Sequence, residues 1–186
     1  AMSDPSQQPK PDIPPPQPGA VAHGAAAFRR RLLDRMVLRP TRYPIESAPK
    51  ERCTVRCHRV LIEYFVEHTG DREVAPDLVI AKFPGTAGRA ERSSTFPASL
   101  LPGVNAVVCT WNPPGYGGSD GRASLKWMPH FAEDFLSHLR TEMVHEQTRV
   151  WLVGNSLGCA TVGYLASRNE PLADALLIRN PPPLVE

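Results

Sequence analysis

The sequence lacks most of what marks a membrane-spanning, metal-binding or nucleic-acid-binding chain. No apolar run among its 186 residues approaches the ~18 to 20 side chains that a membrane-spanning helix needs. The first twenty residues are proline-rich and polar, without the apolar core of a secretory leader. Cys53, Cys57, Cys109 and Cys159 have neither CxxC spacing nor the histidine company of a zinc site. They are expected to be reduced core or edge residues in a cytoplasmic protein, and no metal is expected. Charge of one sign is also scarce: Lys+Arg 21 against Asp+Glu 19 leaves +2, which argues against nucleic acid as a partner of the whole chain. Neither GxGxxG nor a GxxxxGK motif follows a predicted strand, so a nucleotide-binding domain is disfavoured and no cofactor is expected.

What is present is unevenly spread. The opening "AMSDPSQQPKPDIPPPQPGA" holds seven of the 21 prolines. Such a segment cannot bury enough surface to offset its ordering entropy. Residues 1–22 are therefore read as a disordered tail, ahead of a domain over 23–186. Between Arg29 and Arg59 stand ten Lys/Arg against three Asp/Glu. A solvated face is the ordinary reading of that excess, and contact with anionic lipid or substrate the alternative. Within it, "GAAAFRRRLLDRMVL" (24–38) has helical spacing. Phe28, Leu32 and Met36 form a stripe with Leu33 and Val37 beside it, and Arg29, Arg30 and Arg35 lie off it. The stripe is expected to pack on the domain, with a membrane surface the less common partner. Pro40 ends the helix.

Strands and helices then alternate. Residues 53–68 read as two strands or one bent one, and 76–83 and 105–111 as short buried strands. Residues 125–143 read as a helix, with Trp127, Phe131, Phe135 and Leu139 recurring every four positions and Pro129 in its first turn. A strand at 148–153, a helix at 157–168 and a strand at 173–179 follow. Continuous apolar strands between helices predict an α/β fold, a predominantly parallel sheet covered on both faces.

Gly154-Asn155-Ser156-Leu157-Gly158 fits G-x-S-x-G between a predicted strand and a predicted helix. That context makes a common pattern into evidence for a nucleophile. So sharp a reversal strains the serine backbone, and side chains at 154 and 158 would clash with the incoming helix. The helix N-terminus offers free N–H groups and positive potential to a developing oxyanion. The alternative is a glycine-rich turn with an incidental serine.

With these residues the sequence resembles the α/β-hydrolase family, and two further segments share the resemblance. "KFPGTAGRAERSS" follows the strand at 76–83, where the family places its oxyanion loop. Pro84-Gly85 stands where His-Gly is frequent. The resemblance implies oxyanion donors in the backbone N–H groups of Thr86 and Leu157. "TWNPPGYGGSDGRAS" (110–124) is similar to the family's glycine-rich turn after the fourth strand, with Pro114 in place of the usual arginine, and is expected to be structural. Together the three segments cover about residues 55–180.

Two things required by serine chemistry are missing. A general base and an acid to orient it are needed, and the family order is Ser, then Asp or Glu, then His. All six histidines (23, 58, 68, 130, 138, 145) precede Ser156. Of the later acids, Glu170, Asp174 and Glu186, none suits the role. The chain is therefore expected to be the N-terminal part of a longer hydrolase, incomplete at its C-terminus, its remainder in the same chain or in a separate part or oligomer partner. Two functions stay open: a serine hydrolase of an ester, thioester or amide, with a small-molecule acyl substrate, or a non-catalytic binding module of the same fold. Arg89 and Arg92 are candidates for contacting an anionic substrate, against solvated arginines beside a Ser93 helix cap.

Overall fold

Short apolar strands between amphipathic helices can bury both strand faces only as a layered sheet, and the computed structural model shows that arrangement. It describes residues 24–168 and 172–183; the predicted tail, His23, Glu170 and Glu186 lie outside them. In chain order the elements are α1 (Gly24–Val37), β1 (Glu51–Cys57), β2 (Val60–Thr69), β3 (Leu78–Phe83), β4 (Ala106–Trp111), α2 (Met128–Met143), β5 (Arg149–Asn155), α3 (Gly158–Ala166) and β6 (Ala175–Arg179). Only two single turns of 3-10 helix, Ala90–Arg92 and Ala98–Leu100, lie between β3 and β4.

The six strands form one sheet in the order β1-β2-β4-β3-β5-β6. Residues 53–68 resolve into two strands of a hairpin, β1 and β2, which are antiparallel. β2 is antiparallel to β4, and the β4–β3, β3–β5 and β5–β6 pairs are parallel. β3 and β4 are buried at every position, as strands covered on both faces must be.

The helix-covered face holds the larger core: Ile62, Tyr64, Phe83, Trp111 and Leu152 pack with Phe135, Leu139, Val162 and Leu165. Cys53 and Cys57 share this face, and all four cysteines are free. The opposite face has a smaller core of Leu78, Ile80, Ala98, Ala106, Val108 and Val153. Two sequence expectations shift. The buried stripe of α2 is Met128, Ala132, Phe135, Leu136 and Leu139, while Trp127 and Phe131 are only half-buried. A strict four-residue repeat drifts around a 3.6-residue helix. The apolar stripe of α1 does not pack on the domain: Phe28, Leu32 and Met36 are exposed, and Leu38 just beyond the helix enters the core instead.

Candidate active site

β5 ends at Asn155 and α3 begins at Gly158, so the chain must reverse within Ser156 and Leu157. Ser156 does so with φ of 51°, in the left-handed region that costs a residue with a side chain ~1–3 kcal/mol. The turn is held from both sides. The Ser156 N–H donates to the Arg179 carbonyl at the end of β6 (2.9 Å), and the Ser156 carbonyl accepts from the Cys159 N–H (2.9 Å) as α3 starts. Ser156 remains half-buried rather than enclosed. The flanking glycines are required by contact. A Cβ at Gly158 would fall 1.9 Å from the Phe83 carbonyl oxygen, and one at Gly154 would fall 2.8 Å from the Cys159 Cα.

The loop after β3 lies directly against this turn. A Cβ at Gly85 would sit 3.0 Å from the Ser156 Cβ and 3.6 Å from its Oγ. The carbonyl orientations of the loop are pinned. Gly85 accepts from the Gly88 N–H (3.0 Å), and Thr86 accepts from the Tyr116 hydroxyl (2.7 Å) and the Arg39 N–H (3.1 Å). In a trans peptide the C=O and N–H point opposite ways, so holding the Gly85 carbonyl fixes the direction of the Thr86 N–H. Among the described residues, neither the Thr86 nor the Leu157 N–H donates to a backbone acceptor.

Tyr116 comes from the glycine-rich turn after β4, and that turn is woven into the framework. Ser119 Oγ donates to the Asn112 carbonyl (2.6 Å) and accepts from the Glu63 N–H (2.8 Å). Tyr116 is 1% exposed, with its hydroxyl reaching the loop beside Ser156. Sequence reasoning took this turn as structural and missed the reach of Tyr116. The spacing of the turn was visible, but the direction of one ring was not.

Arg89 stands differently from its expected role. It is 4% exposed, and its guanidinium donates to the Thr41 and Tyr43 carbonyls (2.9 and 3.2 Å) and pairs with Glu91. A guanidinium engaged this way fastens the loop to residues 41–43 and is not presented to a substrate. Arg92 is exposed and donates to the Tyr43 hydroxyl at 3.0 Å.

Beneath the loop lie further charges that the sequence did not single out. Lys82 of β3 donates to the Ser94 (2.5 Å) and Phe96 (2.9 Å) carbonyls; burial pushes its ammonium down to about 8. Lys50 donates to the Ala90 carbonyl at 3.2 Å and also to that of Ser93. Burial acts to raise the Glu63 carboxyl, but the Gly118 N–H, Arg52 and Asn112 donate to it and together hold it below the usual carboxylate range.

None of the five described histidines meets Ser156 in a hydrogen bond. His138 Nε2 pairs with the Tyr64 hydroxyl at 3.0 Å, and His130 Nδ1 lies 3.4 Å from that of Tyr164. His58 bonds Asp134 at 2.9 Å from the β1–β2 turn. Four strand spacings separate β1 from β5 in the sheet order, roughly 19 Å at ~4.8 Å each. His68 and His145 line a cleft with Pro76 and Val107, at the ends of β3 and β4 where those strands begin. Asp174 sits at that same edge, its carboxylate accepting the Val150 N–H at 2.7 Å.

The chain also resembles known proteins. No protein-family model matches it. Over 66 residues it is 38% identical to an uncharacterized membrane protein of Saccharomyces cerevisiae, a stretch covering 36% of this chain and 23% of that one. Among solved structures, it superimposes on an α/β serine hydrolase without a lid from Xanthomonas campestris with a TM-score of 0.53 at 14% identity. An α/β-hydrolase fold protein from Chitinophaga pinensis gives 0.55 at 17%. An esterase from Pyrococcus furiosus gives 0.54 at 13%. The matches cover 73%, 72% and 73% of this chain, which spans 63%, 45% and 53% of those structures. The fold is that of the α/β hydrolases.

Proposed function

We propose that this chain carries the nucleophile and oxyanion-binding half of a serine hydrolase. Ser156 attacks the carbonyl carbon of an ester, thioester or amide, forming the Oγ–C bond as the carbonyl π electrons move to oxygen. The Leu157 N–H, at the positive end of α3, and the Thr86 N–H of the loop after β3 receive that oxyanion. Collapse of the tetrahedral species expels the alcohol, thiol or amine and leaves an acyl-serine for water to cleave. The single observation that carries the reading is the left-handed Ser156 with the Gly85 backbone against its side chain. Strain of this kind persists where the surrounding structure over-determines it, and it concentrates at active sites.

The hydroxyl proton needs an acceptor, and no described histidine supplies one. The reading places the base and its acid in the part of such proteins that this chain does not span. The same observation favours a second reading, a binding module that keeps the turn without the chemistry. Fluorophosphonate labelling of the full-length protein separates the two. Covalent modification at Ser156, absent in Ser156→Ala of unchanged fold, is the expected result. A folded protein that resists the probe and releases no product from activated esters supports the binding module.

A further inference from the structure

We propose that α1 is a docking helix for an anionic lipid surface. The helix has two sides that behave oppositely. Asp34 Oδ1 accepts the Leu125 N–H at 2.9 Å, and Leu38, one turn on, is buried in the main core. Those two positions define the side that holds the domain. Leu32 and Met36 stand two residues from Asp34 in either direction, which puts them on the opposite side of a 3.6-residue helix. There Phe28 is 67%, Leu32 49%, Leu33 52% and Met36 67% exposed. Among the described residues no apolar neighbour covers them, although a stripe of this spacing ordinarily seeks one.

Charge selects the partner. Arg29, Arg30, Arg31 and Arg35 are all exposed on the same helix, and Asp34 is its single acidic residue. A second copy of the chain seated on the same stripe would set Arg29 and Arg35 against their own counterparts, with each Asp34 already engaged by its own Leu125 N–H. An anionic bilayer answers both features: its acyl boundary takes the apolar side chains and its headgroups take the arginines. Arg29 lies nearest the apolar arc, where its aliphatic stem can run along the surface while the guanidinium stays at headgroup level.

The position of the helix gives the contact a consequence. One residue after Leu38, the Arg39 N–H donates to the Thr86 carbonyl in the loop against Ser156. Docking through α1 therefore tethers the surface to a segment that is one hydrogen bond from the loop against Ser156. The docking itself does not depend on what Ser156 does.

The test is cosedimentation of the full-length protein with phosphatidylcholine vesicles, with and without phosphatidylglycerol, alongside amide hydrogen exchange of residues 28–37. The expected result is binding only to the vesicles containing phosphatidylglycerol, weakening as salt rises, with slower exchange across α1. Arg29→Gln with Arg35→Gln, the two arginines that border the Phe28, Leu32 and Met36 stripe, should reduce vesicle affinity about tenfold or more, from the loss of two charges near the surface. Leu32→Ala with Met36→Ala should reduce it by a similar factor without changing the melting temperature. Three outcomes overturn the proposal. One is failure to sediment with either vesicle. Another is equal sedimentation with and without phosphatidylglycerol, unchanged by Arg29→Gln with Arg35→Gln. The third is a dimer in light scattering that Leu32→Ala with Met36→Ala converts to monomer.

Discussion

On the face of the sheet covered by α2 and α3, Trp111 stacks on Phe135 at 5.7 Å, and Phe83 and Tyr64 meet the same cluster edge-on. On the other face, toward the end where Ser156 lies, β2, β3 and β4 present Glu63, Lys82 and Thr110, all buried. The difference follows from what covers each face. A helix satisfies its own backbone, so the strands beneath it need contribute only apolar surface. Residues 84–101 form loops and single turns, whose carbonyls find few partners among themselves. Lys82 of the sheet provides them for Ser94 and Phe96 and Lys50 for Ala90, while Arg89 of the loop donates the other way, to the Thr41 and Tyr43 carbonyls. The loop against Ser156 is thus held in place by buried charge, while the helix behind Ser156 is held by apolar packing.

Substitutions on the two faces should therefore fail in different ways. The largest loss is expected from Phe135→Ala, about 3–5 kcal/mol of stability by denaturant unfolding, insensitive to salt and pH. On the loop face, Glu91→Ala leaves the Arg89 guanidinium buried without its carboxylate, and should cost about 3 kcal/mol. Replacing both partners, Arg89→Met with Glu91→Leu, should recover much of that loss; equal damage from the single and double variants would contradict the pairing. Tyr116→Phe removes one hydrogen bond to the Thr86 carbonyl, worth about 1 kcal/mol in stability. Its sharper signature is slower fluorophosphonate labelling of Ser156 in the full-length protein, because the Thr86 carbonyl loses one of its two donors.

The smallest effects at neutral pH are the most diagnostic of the charged face. Lys82 is held at about 8 in the folded chain against 10.5 ordinarily. Between those values the unfolded chain binds more protons, so this residue's contribution to stability rises with pH across that window. Lys82→Met should abolish the rise. Glu63 is held below the usual carboxylate range, so its contribution is complete above that range and is lost as pH falls through its depressed value. Glu63→Gln should flatten the acid limb of the stability profile, and Phe135→Ala should leave that limb unchanged.

The strand-and-helix order and the turn around Ser156 were legible in the sequence because both are local. Burial of a strand shows as an unbroken apolar run, and G-x-S-x-G carries its steric reason in adjacent residues. The glycine-rich segment at 113–119 was also legible as structural. The roles of Arg89 and Tyr116 were not. An arginine beside a candidate site reads the same whether its partner is a substrate or a carbonyl 48 positions away, as Thr41 is. The facing of α1 was misjudged for a related reason. Its periodicity marks an apolar side but does not say which side the domain will use, and Asp34 and Leu38 took that place.

By itself the sequence determined where the chain bends and which strands must be buried, since steric limits on φ and the hydration of apolar side chains act within a few residues. Only the tertiary structure decided which charged groups went inside and which apolar stripe stayed out. Those outcomes depend on partners brought together from distant parts of the chain, and no neighbouring residue encodes them.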